Sequence, residues 1–224
     1  MMGLRYVYDS YASGSRSWVR KAHGQLVGSP RLTNALFGVV VQPSAGTAYF
    51  DLTTILLHTL LKERIRRAPD LKLLEIGVGK YAVLSGSLGR FTSRPIDAVD
   101  KYSQMVEMST EHARRNRLNI NVFQSDLFEN VTNRDYDIVF WNLPYYVAPA
   151  RYLPGLFRSA ARHLVKGGEL IVGYNTKPLP RAVVLENFEA HQAGLELSHV
   201  KSYWWNLHDV LFFRHSGAEP RSET

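Results

Sequence analysis

The chain has 224 residues, 45% of them hydrophobic, with a formal net charge of +7 and an isoelectric point near 9.6. This length suits one α/β core with a short appendage and is too small for two independent domains of ordinary size. The absence of cysteine excludes disulfides, thiolate metal sites and a cysteine nucleophile. No apolar run reaches the ~18 residues of a membrane span, so we expect a soluble, unexported, cytoplasmic protein without a membrane partner.

The basic charge would suit a polyanionic partner, but the lysines and arginines are scattered. Modest clusters occur at residues 16–21, 62–67 and 114–117. The last two can simply be solvated faces of helices. Charge alone therefore does not identify a partner.

Residues 1–45 are rich in tyrosine, serine and glycine and show no sustained hydrophobic period, which predicts an arm or lid. Such a segment could cover a site, contact a partner or pack across a sheet edge, and the sequence favours none of these. Residues 46–215 are expected to form the folded domain, followed by a disordered tail over residues 216–224. The domain begins with apolar residues at helical spacing, which predict a helix over residues 48–67.

A short apolar run at residues 71–76, bounded by glycine, predicts a buried parallel strand. Glu75 is unusual there, because a carboxylate in a buried strand is costly unless it accepts hydrogen bonds. Gly77 and Gly79 follow directly, and glycines at this position let the backbone approach a ligand before turning into a helix. The pattern is typical of a nucleotide-binding loop.

Residues 95–100 predict the second strand, with Asp100 at its carboxyl end. An acid at that position can accept both hydroxyls of a ribose. The pattern Gly77-x-Gly79-x-x-Ala82 followed by Asp100 also satisfies the loose dinucleotide-binding motif. These residues leave a nicotinamide cofactor as an open alternative.

A third acid, Asp126, follows a strand predicted at residues 120–124. Because the carboxyl ends of parallel strands meet at one edge of a sheet, Glu75, Asp100 and Asp126 are expected to lie together. Three further helices are predicted, over residues 103–117, 151–165 and 180–193. The second is expected to end in a C-cap at Lys166-Gly167-Gly168, and the third to carry Pro180 in its first turn. Strands are predicted over residues 169–174, 195–205 and 209–214. The last two strands predict an antiparallel pair.

Residues 137–146 are the most informative stretch of the chain. They predict a buried strand that ends at Asn142 and is followed by Leu143, Pro144 and Tyr145. Pro144 keeps Leu143 out of the helical region, so the backbone stays extended and the Leu143 carbonyl is free to accept a hydrogen bond. The Asn142 side-chain oxygen is a second acceptor, and the Tyr145 ring can lie flat against a planar group. This combination predicts a site for an NH2 group on a flat molecule.

Asn142-Leu143-Pro144-Tyr145 resembles the Asn-Pro-Pro-Tyr signature of class I S-adenosylmethionine-dependent amino-methyltransferases, with Leu143 in place of the first proline. Members methylate exocyclic nitrogens of adenine or guanine in DNA or RNA, or the side-chain amide of glutamine in release factors. The acids at successive strand ends match the family's order. The resemblance, which covers residues 46–214, therefore implies a Rossmann-like, doubly wound α/β fold with a mostly parallel seven-stranded sheet and an antiparallel C-terminal hairpin.

The resemblance also implies which residues form the site. The cofactor-binding residues would be Glu75, Gly77, Gly79, Asp100, Asp126 and Asn142. The catalytic residues would be Asn142, Leu143, Pro144 and Tyr145. The glycine loop would lie beside the methionine part of S-adenosylmethionine, Asp100 at its ribose and Asp126 near its adenine, and no metal is expected.

The acceptor is the least specified part of the prediction. Residues 1–45 contain no recognisable nucleic-acid-binding motif, which argues against sequence-specific DNA. The many aromatic residues around the motif favour a small-molecule or peptide acceptor covered by the N-terminal arm, with RNA as the strongest competitor. A nicotinamide-dependent oxidoreductase would leave the Asn142 motif without a role. The sequence predicts no oligomeric state.

Overall fold

A computed structural model describes residues 24–44, 47–144, 151–203 and 207–217. The helices are α1 (Pro30–Phe37), α2 (Leu52–Arg67), α3 (Val83–Leu88), α4 (Ser103–Asn116), α5 (Leu153–Ala160) and α6 (Arg181–His191). The strands are β1 (Leu73–Ile76), β2 (Ile96–Asp100), β3 (Ile120–Gln124), β4 (Tyr136–Asn142), β5 (Leu164–Asn175), β6 (Leu195–Tyr203) and β7 (His208–His215). Within these ranges no helix combines the length and apolar character needed to cross a membrane.

All seven strands form one sheet in the order β3-β2-β1-β4-β5-β7-β6. Strands β1 to β5 are parallel to one another, whereas β7 runs antiparallel to both β5 and β6. The winding reverses between β1 and β4, which is the doubly wound arrangement. The predicted fold class is confirmed.

Strand β4 shows how the sheet is covered on both faces. Val139 and Trp141 belong to a buried cluster that includes residues of α5 and α6. Ile138 and Phe140 belong to a second cluster that includes residues of α2. Helices on both faces leave a parallel strand with no polar side, which is why this strand is a near-continuous apolar run.

Helix α2 begins at Leu52 rather than at residue 48, because Asp51 caps it. Asp51 Oδ1 accepts from the backbone N–H of Thr54 at 2.7 Å and from its hydroxyl at 2.8 Å. The Asp51 N–H in turn donates to Thr54 Oγ1 at 3.2 Å, which completes a capping box. This reciprocal pair sets the first turn of α2 beside the sheet.

The predicted C-cap at Lys166-Gly167-Gly168 is wrong. Helix α5 ends at Ala160, a short 3-10 turn follows over Ala161–His163, and β5 already begins at Leu164. The glycines therefore lie inside a strand. A Cβ on Gly168 would meet three backbone oxygens at 2.9 to 3.1 Å, so glycine is required by the close approach of β4 and β5 rather than by a helix end.

Pro180 is also placed differently from the prediction. It is the N-cap of α6, with an extended ψ of 142°, and does not form part of the first turn. The fixed φ of proline, −57° here, suits entry into a helix at either position. The helix ends at His191, two residues earlier than predicted.

The described part of the N-terminal segment contains a helix that the sequence did not predict. Ser29 caps α1 by accepting from the N–H of Leu32 at 3.2 Å, and Gly38 ends it with a φ of +66°. Its Phe37 is buried in a cluster that includes Val83 of α3. A helix of 8 residues is too short for its period to stand out in sequence. The role of residues 1–45 as an arm or lid stays a prediction.

Candidate active site

The carboxyl ends of β1, β2 and β4 meet where the winding of the sheet reverses. Ile76 at the end of β1 is in register with Val99 of β2 and with Trp141 of β4. The residue that follows each of these is a predicted site residue: Gly77, Asp100 and Asn142. The fold therefore brings three of the predicted residues side by side, at the edge where open α/β sheets bind ligands.

The loop after β1 needs both of its glycines, for different reasons. Gly77 and Gly79 have φ values of +69° and +63°. A Cβ on Gly77 would meet Nε1 of Trp141 at 2.7 Å, whereas a Cβ on Gly79 would meet nothing within 4 Å. Gly77 thus allows the loop to pack against Trp141, and Gly79 presents bare backbone to open space.

Asp100 is 9% exposed and uses both carboxylate oxygens. Oδ2 accepts from the N–H of Gly79 and Oδ1 from the N–H of Tyr102, each at 3.1 Å. Burial raises the pKa of this carboxyl, and the N–H groups of Tyr102 and Gly79 oppose that rise. Each oxygen keeps a further lone pair, so the carboxylate can still accept two hydroxyl donors.

Replacing Asp100 by alanine is expected to weaken the binding of adenosylhomocysteine by about 10- to 150-fold, since hydrogen bonds to a charged group contribute ~1.5–3 kcal/mol. Titration calorimetry measures this directly. Asp97→Asn is the matched control, because Asp97 lies on the same strand but accepts from Tyr136 and Asn133. Equal affinity in Asp100→Ala and the control would remove Asp100 from the cofactor site.

Glu75 lies beneath α3 and is 4% exposed. Its Oε2 accepts from the N–H of Ser85 at 3.0 Å. Burial raises the pKa of Glu75 to about 8. In the described structure Glu75 fastens the first turns of α3 to the end of β1 and so supports the glycine loop. A direct contact with the cofactor stays a prediction.

Asp126 is exposed in the turn that follows β3. The preceding residue, Ser125, donates its N–H to the Asp100 carbonyl at 3.0 Å, which places this turn next to the end of β2. The next residue, Leu127, has a φ of +51°. The location agrees with a role near adenine, which stays a prediction.

Asn142 is held by the first turn of α2. Its Nδ2 donates to Asp51 Oδ1 at 3.2 Å and to Thr54 Oγ1 at 3.1 Å. The N–H of Leu143 donates to the Gly173 carbonyl at 2.8 Å. No residue within the described ranges donates to Asn142 Oδ1 or to the Leu143 carbonyl. Both acceptors predicted from sequence are therefore available, while Tyr145 lies outside the described residues.

Trp141 and Tyr152 are among the aromatic residues expected near the motif, but the sequence did not reveal Lys101 beside them or the contacts that the three residues make. Lys101 hydrogen-bonds the Tyr152 hydroxyl and its ammonium lies 4.4 Å from the centre of that ring. The Tyr152 ring meets Trp141 edge-on at 6.3 Å, and the buried Trp141 Nε1 has no hydrogen-bond partner in the described structure. These contacts join residues that are distant in the chain, so no local sequence pattern predicts them. The capping pair of Asp51 and Thr54 could have been recognised as a helix start, but not as a partner of Asn142.

Comparison with known proteins places this architecture in a family. The family model described as methyltransferase small domain matches residues 46–198, about two thirds of the chain. A Methanocaldococcus jannaschii protein that carries the name protein N5-glutamine methyltransferase is 36% identical over 86 residues, which are 38% of this chain and 43% of that protein. The chain spans about half the length of the curated relatives it matches.

Solved structures agree with the fold. A methyltransferase from Pyrococcus furiosus superposes with a TM-score of 0.66 at 19% identity, covering 90% of this chain and 98% of that one. The Thermus thermophilus 16S rRNA N2 G1207 methyltransferase, solved with AdoMet and guanosine, has a TM-score of 0.58 at 25% identity over 80% of this chain and 45% of that one. With the glycine loop, Asp100 and Asn142 at one sheet edge, and with the family model matching residues 46–198, the chain belongs to the methyltransferase small domain family.

Proposed function

We propose that this protein transfers a methyl group from S-adenosylmethionine to an amine or amide nitrogen of a small-molecule or peptide acceptor. The observation that carries the proposal is a pair of available hydrogen-bond acceptors, Asn142 Oδ1 and the Leu143 carbonyl. Both lie beside the glycine loop and Asp100. Family membership supports methyl transfer over the nicotinamide alternative.

The residues at this edge fit S-adenosylmethionine. Asp100 has lone pairs left for the two ribose hydroxyls, and Gly79 offers open space where a side chain would otherwise stand. Asp126, in the adjoining turn, would meet the adenine. When bound, the cofactor supplies an electrophilic methyl group on a sulfonium, whose sulfur leaves neutral.

The protein's part in the reaction would be orientation and electrostatics. The nitrogen of an amide or aromatic amine is a poor nucleophile, because its lone pair is delocalised. Hydrogen bonds from its two N–H groups to Asn142 Oδ1 and the Leu143 carbonyl would turn the lone pair toward the methyl group. The same bonds stabilise positive charge as it develops on nitrogen, so they count most in the transition state. The Tyr145 ring is proposed to hold the planar acceptor.

The positions of the described basic clusters support an acceptor other than RNA. Helix α2 runs from Leu52 to Arg67, so the cluster at residues 62–67 lies about 15 to 22 Å along the helix from the end that contacts Asn142. At the corresponding end of α4, Arg114 and Arg115 both pair with Glu111. Neither cluster forms a basic surface beside the active site.

The described N-terminal residues lie near the site. The Tyr49 hydroxyl accepts from the N–H of Ser44 at 2.9 Å and donates to the Gln42 carbonyl at 2.6 Å. The Tyr49 ring in turn meets Tyr81, next to the glycine loop, edge-on with ring centres 5.0 Å apart. The Phe37 cluster also packs on Val83, which follows that loop. These contacts support the proposal that residues 1–45 help to cover the acceptor.

Methylation of an RNA base is the second candidate. It is favoured by the similarity to the Thermus enzyme, whose structure contains guanosine. An exocyclic amino group on a base is the same kind of planar NH2 group that Asn142 Oδ1 and the Leu143 carbonyl would bind. A cytoplasmic location is part of either proposal.

Incubating the protein with methyl-labelled cofactor and a cell extract separated into RNA, protein and metabolite fractions would test the proposal. Label in the metabolite or protein fraction is the expected result. Label in RNA, with activity falling steeply as salt rises, would instead establish the second candidate, because phosphate contacts produce that salt dependence. Absence of label from every fraction would count against methyl transfer.

A further inference from the structure

The orientation of the Asn142 amide is determined by its partners on α2. Asp51 is a carboxylate and can only accept a hydrogen bond. Thr54 donates its hydroxyl proton to Asp51 Oδ1 at 2.8 Å, so its oxygen faces Asn142 with lone pairs only. Both groups that contact the amide are therefore acceptors, and the amide must present its nitrogen to them.

This orientation directs the Asn142 oxygen away from α2. A side-chain amide is planar, with its oxygen and nitrogen on opposite sides of the bond to Cγ. Once Nδ2 is bonded to Asp51 and Thr54, Oδ1 has to face away from them. The reversed orientation would place Asn142 Oδ1 against the Asp51 carboxylate, and the two oxygens would repel each other. It would also turn Asn142 Nδ2 toward the NH2 group of the methyl acceptor, so the hydrogen bond to that group would be lost.

From these contacts we propose that Asp51 and Thr54 are positioning residues for the methyl acceptor, acting through Asn142. The inference rests on the proposed function of Asn142. It links two features that are separated in the chain: the capping box that starts α2 and the residue that ends β4. Asp51 caps the first turn of α2, and the same carboxylate fixes the direction of the Asn142 amide.

The capping and positioning roles of Asp51 can be separated by substitution. In Asp51→Asn, the side-chain oxygen can still accept from both the Thr54 N–H and Asn142 Nδ2, so near-normal turnover is expected. In Asp51→Ser, the shorter side chain remains a good N-cap but does not reach Asn142. Combining Asp51→Ser with Thr54→Val removes both partners of the amide while keeping the shape of the Thr54 side chain.

The experiment compares turnover, adenosylhomocysteine affinity and melting temperature among these variants and Asn142→Ala, with methyl-labelled cofactor and the extract fraction that accepts label. We expect Asp51→Ser/Thr54→Val to lose about 100-fold in turnover, with cofactor affinity within about twofold of the parent. Asp51→Asn should stay within about threefold. Normal turnover in the double variant, with Asn142→Ala inactive, would overturn the positioning role and leave the proposed function intact.

A spectroscopic readout keeps the contact testable apart from activity. The Asn142 side-chain NH2 signals can be assigned by their loss in Asn142→Ala. They should shift strongly in Asp51→Ser/Thr54→Val, where both acceptors are lost, and shift less in Asp51→Asn, where an oxygen still accepts from the amide. Unchanged signals in the double variant would show that the contact does not form, whereas full turnover in Asn142→Ala would refute the proposed function instead.

Discussion

Asn142→Ala is expected to lower turnover by about 10²–10³-fold while adenosylhomocysteine affinity changes by no more than a few fold. The amide oxygen faces the acceptor rather than the cofactor in our proposal, and its hydrogen bond strengthens as charge develops on nitrogen. Losing one preorganised polar group of this kind costs about 3–4 kcal/mol in the transition state. Single-turnover rates with labelled cofactor would measure the loss, and calorimetry would measure cofactor affinity.

The matched control for this variant is Asn121→Ala. Asn121 is also an amide on the sheet, but it donates to Asp97 near the start of β2, away from the edge that holds Asn142. Its turnover should match the parent. If Asn142→Ala also kept near-normal turnover on the true acceptor, the amino-methyltransferase proposal would fall, because no other described group replaces the lost oxygen.

Glu75→Gln is expected to stabilise the protein at pH 8 by roughly 3 kcal/mol and to have little effect near pH 4.5. Burial raises the pKa of Glu75 to about 8, from an ordinary value of 4.5. Between these two values the folded protein holds a proton that the unfolded chain has released, so the free energy of unfolding falls as pH rises through this window. Each unit of pKa corresponds to ~1.4 kcal/mol, so the stabilisation in Glu75→Gln cannot exceed about 5 kcal/mol.

Glutamine removes this dependence because it is neutral at every pH and its oxygen can still accept from the Ser85 N–H. Urea unfolding of the parent and of Glu75→Gln at pH 5 and pH 8 would measure how the free energy of unfolding of each protein changes with pH. Glu169→Gln is the control of opposite sign: Glu169 is also buried, but it pairs with Arg64 and lies 3.5 Å from Arg214, so removing its charge should destabilise the protein at pH 8. A loss of stability in Glu75→Gln equal at both pH values would show that Glu75 is charged in the folded state.

Much of the fold follows from local pattern. The apolar runs that become β1 and β4 differ clearly from the neighbouring loops, because strands covered by helices on both faces need apolar residues at nearly every position. Strand β3 has the predicted bounds, and α4 differs by one residue at its end. The errors lie where a local signal has two meanings. Gly167 and Gly168 were predicted to end a helix, whereas in the structure Gly167 has a φ of +80° within β5 and Gly168 lies where neighbouring backbones approach closely.

The sequence by itself predicted the candidate site residues and their order along the chain, since strand ends can be recognised locally and parallel strands bring their ends to one edge. It could not determine how those residues are held. Whether Glu75 contacts a ligand or Ser85, and which way the Asn142 amide faces, depends on groups on other elements: Glu75 meets α3, and Asn142 meets the cap of α2. Hydrogen bonds of this kind join residues far apart in the chain, and only packing brings them within about 3 Å. The tertiary structure therefore decided the direction of the Asn142 amide, because the groups that orient it lie on another element of the fold.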